Sequence, residues 1–157
     1  MASDRPSVAG AGDTRTSMTR QEMIDFFKRR WEAYEDLDAA ALAADYADHA
    51  VIESPTAGVH TGREAAERTL RVIFSAFLDL TTTVDNLIID GDTAVTVLSL
   101  EGTHIGEFLG LPPTGKRFTM PAVFFYQLAD GKIVRERRIY DFTGLLVQIG
   151  VLKAKPA

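Results

Sequence analysis

The segment RRIYDFTGLLVQIG near the C-terminus places one carboxylate in a strand-like run of apolar residues. Asp141 follows Ile139 and Tyr140 and precedes Phe142. A carboxylate is among the side chains least often buried without a partner. Two interpretations of Asp141 follow from this setting. Either it caps the turn into the next segment, or it lies in a pocket where it acts as a base.

The three histidines are the other side chains that could transfer a proton near neutral pH. His104 lies in GTHIG, whose glycines suggest a close backbone approach, and is a candidate for the pocket. His60 precedes a predicted helix and could reach the pocket mouth, whereas His49 is expected at the surface. Their spacing matches no metal-ligand pattern, so no metal site is predicted. The sequence has no cysteine, which excludes disulfides and thiol catalysis.

Helices are predicted in the N-terminal half of the chain. TRQE, residues 19–22, matches the capping box, and apolar residues then recur at helical spacing as far as Tyr34. A second helix, AAALAADYA, is predicted after Asp38. AVIES predicts a brief strand, and a third helix begins at a second capping box, TGRE, residues 61–64.

The C-terminal half has the composition of β-strands. Residues 79–104 are rich in Thr, Val and Ile and contain Asp90-Gly91, a favoured hairpin turn. Residues 116–142 predict a second hairpin that turns at Asp130-Gly131, and GLLVQIG predicts a short helix or turn. Helices followed by an antiparallel meander indicate the α+β class. Residues 1–17 are predicted to be a flexible tail and residues 18–152 a single domain.

The register of the second hairpin predicts which face of the sheet carries Asp141. If Asp130-Gly131 is a two-residue turn, pairing along the ladder sets Asp141 opposite Met120, and directly opposed residues share a face. Asp141 and Arg137 would then share a face with mostly apolar side chains. A one-residue bulge, which Pro121 makes possible, would reverse this arrangement.

Composition limits the classes of partner. The chain has 157 residues, a net charge of −5, 46% hydrophobic residues and 25% charged residues, as expected for one soluble domain. Its negative charge disfavours non-specific binding to nucleic acid or anionic lipid. No apolar run is long enough to span a membrane, and the N-terminus does not resemble a secretory signal. A cytoplasmic location is therefore predicted.

Several segments carry a resemblance to a known family. The stronger matches are EGTHIGEFLGLPPTGKRF, ADGKIV and DFTGLLVQIG, and the weaker matches are DYADHAVIES and GVHTGREA. On these segments, over roughly residues 20 to 150, the chain resembles the SnoaL-like polyketide cyclases, or ester cyclases, of the nuclear transport factor 2-like superfamily.

The resemblance implies a cone-shaped fold, with a curved antiparallel sheet wrapped around three N-terminal helices and a pocket at its open end. Members of the family close a ring by intramolecular aldol condensation, use no cofactor and are commonly dimers, so a homodimer is expected. Their catalytic Asp lies at the end of the last strand, which matches Asp141. It works with a histidine on an adjacent strand. The hairpin of residues 116–142 has no histidine, and His104, one strand earlier, is a candidate substitute.

The predicted function is that of a cofactor-free enzyme, a cyclase or isomerase, acting on an apolar, carbonyl-bearing small molecule. A carboxylate shielded from water is a stronger base, and removal of a proton next to a carbonyl also needs a donor for the enolate oxygen. That donor could be His104, Tyr126, Tyr140 or Arg137. The residues predicted to shape the pocket are Phe108, Met120, Phe124, Tyr126, Arg137 and Tyr140. The alternatives are epoxide hydrolysis or dehydration in the same pocket, or a non-catalytic ligand-binding or dimerisation module.

Overall fold

The structure is a computed structural model and describes residues 16–153. The described residues form four helices and six strands, which confirms the α+β class. The helices are α1 Arg20–Glu35, α2 Ala39–Ala44, α3 Arg63–Ala76 and α4 Phe142–Gln148, and the strands are β1 Tyr46–Ser54, β2 Gly58–Thr61, β3 Thr81–Asp90, β4 Thr93–Thr103, β5 Arg117–Ala129 and β6 Lys132–Tyr140. None of the described helices is long and apolar enough to cross a membrane.

The strands form one six-stranded sheet in the order β2-β1-β6-β5-β4-β3. Strands β3 to β6 form the antiparallel meander that the sequence predicts. Strands β1 and β6, in contrast, run parallel. The expected antiparallel sheet therefore includes one parallel pair at this position. The two strands are distant in sequence, so no short hairpin constrains their relative direction.

The helix boundaries show where the predicted caps are correct. Thr19 and Glu22 form a reciprocal capping box at the start of α1, as predicted. The second predicted capping box is wrong, because Thr61 ends β2 and Gly62 occupies the N-cap position of α3 without a side-chain hydrogen bond. Helix α2 ends at Ala44, earlier than predicted, because the chain then enters β1.

An irregularity in the last hairpin decides which side chains face the helices. Next to their turn, β5 and β6 pair as predicted, and Leu128 pairs with Ile133. Gln127 then pairs with Arg135, so Val134 is an extra residue on β6. A bulge of one residue sends every later side chain of the strand to the opposite face.

The predicted tail, residues 1–17, lies outside the described residues except for its last two. Thr16 donates its backbone N–H to Asp130 Oδ1, and the Ser17 hydroxyl donates to Asp92 Oδ2. Asp130 and Asp92 lie in the turns of the two hairpins. The chain therefore enters the domain along the hairpin ends of the sheet.

Candidate active site

An apolar cavity lies between the sheet and helices α1, α3 and α4. Its empty space, which includes open solvent at the mouth, is about 800 Å³. Most of its wall is aromatic or aliphatic, and the aromatic part includes Phe27, Trp31, Phe74, Phe77, Phe118 and Phe124. A concave apolar site with a few polar groups is typical of small-molecule binding. No group of three or more His, Cys, Asp or Glu side chains in residues 16–153 is placed to hold a metal ion.

Five of the residues predicted to shape the pocket line this cavity, namely Phe108, Met120, Phe124, Tyr126 and Tyr140. Met120, Phe124 and Tyr126 lie an even number of residues apart on β5, so they share the inner face of the sheet. Tyr140 is the last residue of β6. Its hydroxyl lies 2.7 Å from Thr56 Oγ1, another residue of the wall.

Phe108 enters the cavity from the loop between β4 and β5, residues 104–116. The loop is fixed to the end of α3, where Gly106 donates its N–H to the Ala76 carbonyl at 3.0 Å. A Cβ at Gly106 would overlap with the backbone of α3, so glycine allows the two backbones to meet. The Phe108 ring then packs edge-on against Phe77, with the ring centroids 5.1 Å apart.

His104 is fully buried at the base of this loop. Its Nδ1 lies 3.1 Å from Thr114 Oγ1, and its Nε2 has no partner among the described residues. The imidazole packs against Phe77 and Phe108, with centroid distances of 5.7 and 6.5 Å. Both phenyl rings line the cavity, whereas His104 does not. The structure thus places His104 behind the cavity wall.

Arg137 lies on the outer face of the sheet. Its Nε is 3.6 Å from Glu53 Oε2, and its side chain is 64% exposed. The prediction that Arg137 faces the pocket is therefore wrong. The physical reason is the extra residue Val134, which reverses the faces of the rest of β6.

Asp141 caps α4 at the end of β6. Its Oδ1 accepts the N–H of Gly144 at 2.8 Å, and the residue is exposed. The expectation that Asp141 points into apolar company is wrong, because the bulge pairs Tyr140 with Ala122 and ends the predicted register. Tyr140, its neighbour in the chain, and Leu145 in α4 both line the cavity. Asp141 itself is exposed and is not among the residues that line the cavity, so only its neighbours connect it to the wall.

The polar part of the wall comes from a group of buried polar residues, here called the buried cluster: Arg30, Asp45, Tyr46, Glu136 and Arg138. Arg138 donates from Nε to Glu136 Oε1 at 2.7 Å, and the Tyr46 hydroxyl donates to Glu136 Oε2. Arg30 donates to Asp45 Oδ2 at 2.8 Å and to the Tyr46 hydroxyl at 3.3 Å. Arg30 and Arg138 line the cavity.

Mutual attraction keeps the buried cluster ionised. Burial alone would raise the pKa of the Glu136 carboxyl, but the Arg138 charge and hydrogen bond hold that pKa below its ordinary value of 4.5. Burial alone would lower the pKa of Arg138, but attraction from Glu136 raises it. A carboxylate whose pKa is lowered is a weak base. Glu136 thus acts as the counter-ion of Arg138.

Sequence reasoning missed the buried cluster, although one signal was present. Arg30 lies three residues after Phe27 and four before Tyr34, which places it on the apolar stripe of α1. A charge on that stripe indicates a buried partner. Glu136 and Arg138 gave no such signal, because RERR alternates charges on both faces and the bulge decides which of them are buried.

The chain is similar to known polyketide cyclases. Residues 18–149 match the SnoaL-like polyketide cyclase family. Nogalonic acid methyl ester cyclase from Streptomyces nogalater is 33% identical over 107 residues, which are 68% of this chain and 78% of that protein. Aklanonic acid methyl ester cyclase DnrD from Streptomyces peucetius is 38% identical over 53 residues, which are 34% of this chain and 37% of that protein.

The fold is shared with solved structures. TsrD from Streptomyces laurentii superposes with a TM-score of 0.76 at 27% identity, and the match covers 86% of this chain and 99% of TsrD. Structures named for SnoaL-like and NTF2-like proteins share the same architecture. The expected cone-shaped, NTF2-like fold is therefore confirmed. From the match over residues 18–149, the chain belongs to the SnoaL-like polyketide cyclase family.

Proposed function

We propose that this protein is a cofactor-free cyclase that closes a ring in an apolar, polyketide-like small molecule by aldol-type chemistry. The observation that carries the proposal is the apolar cavity with charged and phenolic groups in its wall, in a chain of this family. A relative is named for a methyl ester substrate. Such an ester keeps its carbonyl but not the acid charge, which suits an apolar cavity.

Asp141 is the proposed base. It takes a proton from a carbon next to a carbonyl, and the resulting enolate carbon attacks a second carbonyl carbon of the same molecule. The new C–C bond leaves an alkoxide, which takes the proton back from Asp141. In support, the Gly144 N–H fixes one carboxylate oxygen at 2.8 Å and leaves Oδ2 without a partner among the described residues. A carboxylate that is held in one orientation favours proton transfer by positioning.

His104 is proposed to position the loop that carries Phe108. Its backbone N–H donates to the Lys116 carbonyl at 2.9 Å, and its Nδ1 contacts Thr114, so it joins both ends of the loop. The homodimer and the cytoplasmic location remain predictions.

The test compares two aspartates that cap helices with the same geometry. Asp141 has φ −81° and ψ 84°, and Asp38, the N-cap of α2, has φ −83° and ψ 87°. Both are exposed, and only Asp141 lies next to an element that lines the cavity, through Tyr140 and Leu145. Asparagine caps helices as well as aspartate does, so Asp141→Asn and Asp38→Asn remove a charge and leave the cap in place.

Nogalonic and aklanonic acid methyl esters are incubated with each protein in D₂O, and ring closure and deuterium uptake are followed by mass spectrometry. We expect turnover by the wild type and by Asp38→Asn, and a fall of about 100-fold or more in Asp141→Asn, the usual contribution of a general base. Full activity of Asp141→Asn would remove Asp141 from the mechanism. A wild type that binds the esters without reaction or exchange would indicate a ligand-binding module.

A further inference from the structure

The buried cluster has a feature that the proposed proton transfer at Asp141 does not use. Arg138 makes three side-chain hydrogen bonds, which come from Nε and Nη2 and go to Glu136 and Tyr46. Its Nη1 donates to no atom of the described residues. A guanidinium carries five N–H donors, so two of them remain unused at this atom.

The unused end of Arg138 opens on the cavity. Within residues 16–153, the side-chain polar atoms that are both sealed from solvent and unpartnered are the ring nitrogens of His60, Thr96 Oγ1 and His104 Nε2. Arg138 Nη1 is not among them, so solvent reaches it. Because Arg138 lines the cavity and is only 7% exposed, that solvent lies in the cavity.

The guanidinium of Arg138 is held rigidly. Its Cζ lies 5.4 Å from the centroid of the Phe124 ring, which it covers, and Glu136 binds it through both carboxylate oxygens. Strand pairing sets Arg138 beside Phe124 and Glu136 beside Tyr126. A donor held by this many contacts loses little freedom when it binds a ligand atom.

The charge of this donor favours an electron-rich ligand atom. Arg30 pairs with Asp45 and Arg138 with Glu136, so the buried charges balance, and Arg29, which also binds Asp45, is 53% exposed. The unused N–H groups of Arg138 nevertheless belong to a charged guanidinium. In an apolar cavity, a positive donor attracts a carbonyl oxygen and stabilises an enolate oxygen still more strongly.

Tyr126 supplies a second donor on the same wall. It lines the cavity next to Glu136 in the ladder. Burial raises the pKa of its hydroxyl well above the ordinary value, so the phenol keeps its proton. Tyr126 and Arg138 both line the cavity, and both are side chains that can donate to a developing oxyanion.

We infer that Arg138 Nη1, with the Tyr126 hydroxyl, forms a binding site for a carbonyl or enolate oxygen of the substrate. The substrate then enters with its oxygenated end towards the sheet and its apolar body against the aromatic wall. This inference rests on the proposed function for the enolate, and it deepens that proposal by assigning the donor and the orientation of the substrate.

The test uses two unreactive probes of similar shape, 2-acetylnaphthalene and 2-ethylnaphthalene, which differ in one carbonyl oxygen. Their dissociation constants are measured by equilibrium dialysis for Glu136→Gln and for the double variant Glu136→Gln/Arg138→Met. The two proteins differ only at position 138. The double variant leaves no unpaired charge at these two positions, whereas Glu136→Gln keeps Arg138 without its counter-ion, so circular dichroism first verifies that both proteins are folded.

We expect the double variant to bind the ketone about tenfold or more weakly than Glu136→Gln does, the loss of a hydrogen bond from a charged donor. Binding of 2-ethylnaphthalene should change less than about twofold, since it offers no acceptor. Equal losses for both probes, or no loss for either, would overturn the inference, as would a Glu136→Gln protein that binds neither probe.

A second variant covers the case in which the double variant does not fold. Arg138→Lys keeps the charge, but its single ammonium group pairs with Glu136 and lacks the fork of donors. Arg138→Lys should bind 2-acetylnaphthalene more weakly than the wild type does, with little change for 2-ethylnaphthalene. Unchanged binding of the ketone would contradict the inference. Because the probes do not react, an absence of cyclase activity leaves this result intact, and a failed probe test leaves the role of Asp141 unaffected.

Discussion

Strand β6 carries arginine–carboxylate pairs on both of its faces, and the two faces put the same chemistry to different use. On the inner face Arg138 pairs with Glu136 at 2.7 Å, and their side chains are 5% and 0% exposed. On the outer face Arg135 pairs with Glu53 at 3.0 Å, and their side chains are 51% and 27% exposed. The two distances are similar, and solvent access separates the pairs.

The difference shows where charge matters in this fold. Water and salt screen the outer pair, so its contribution to stability is small. The inner pair loses its hydration, and an apolar pair of similar volume is often as stable or more stable. Stability alone therefore does not explain Arg138 and Glu136. The position of Arg138 in the cavity wall, with Glu136 as its counter-ion, is better explained by the donor that Arg138 presents to a ligand.

Breaking the inner pair should have the largest effect. Glu136→Ala leaves Arg138 buried without its counter-ion and removes the acceptor of the Tyr46 hydroxyl. We expect the free energy of unfolding to fall by about 3–5 kcal/mol. Urea denaturation followed by circular dichroism at neutral pH measures it. A loss below about 1 kcal/mol, the range of exposed pairs, would show that the two faces do not differ in this way.

The second-largest expected effect is a loss of stability at low pH that involves the inner pair. Because the folded pKa of Glu136 lies below 4.5, folding favours its charged form. The stability that this charge contributes is complete above the unfolded pKa of about 4.5 and is lost as the pH falls through the folded pKa. Glu136→Gln should thus be less stable than the wild type at neutral pH and lose less stability in acid. Unfolding free energies of the two proteins, measured from neutral pH into acid, provide the check. Equal losses of stability in acid for both proteins would contradict the prediction.

Much of the fold was predictable because its signals are local. The capping box at Thr19 and the apolar stripe behind it fix α1, and Asp130-Gly131 fixes the turn of the last hairpin. Met120, Phe124 and Tyr126, which are named from the sequence as pocket residues, lie at even spacing along β5 and line the cavity. Each of these features depends on a few neighbouring residues.

The rest of the site depends on one residue that the sequence does not mark. The extra residue Val134 reverses the faces of β6, so Arg137 lies outside and Glu136 lies inside. A bulge arises from the fit between two strands and their neighbours, and nothing in KIVRERR specifies it locally. Pro121 indicates a possible bulge on β5, but the extra residue lies on β6. The buried cluster follows from that shift.

The smallest expected effect comes from the outer pair. Glu53→Gln removes the carboxylate that Arg135 and Arg137 share at 3.0 and 3.6 Å, and both arginines remain in water. We expect a loss of at most about 1 kcal/mol, which shrinks further in about 1 M salt as the charges are screened. The measurement is urea denaturation at low and high salt, with Glu136→Gln as the matched carboxylate-to-amide change on the inner face. Equal losses for the two variants, with equal salt dependence, would show that exposure does not separate the pairs. A small, salt-sensitive loss for Glu53→Gln and a larger, salt-insensitive one for Glu136→Gln would tie the inner charges to the enclosed cavity.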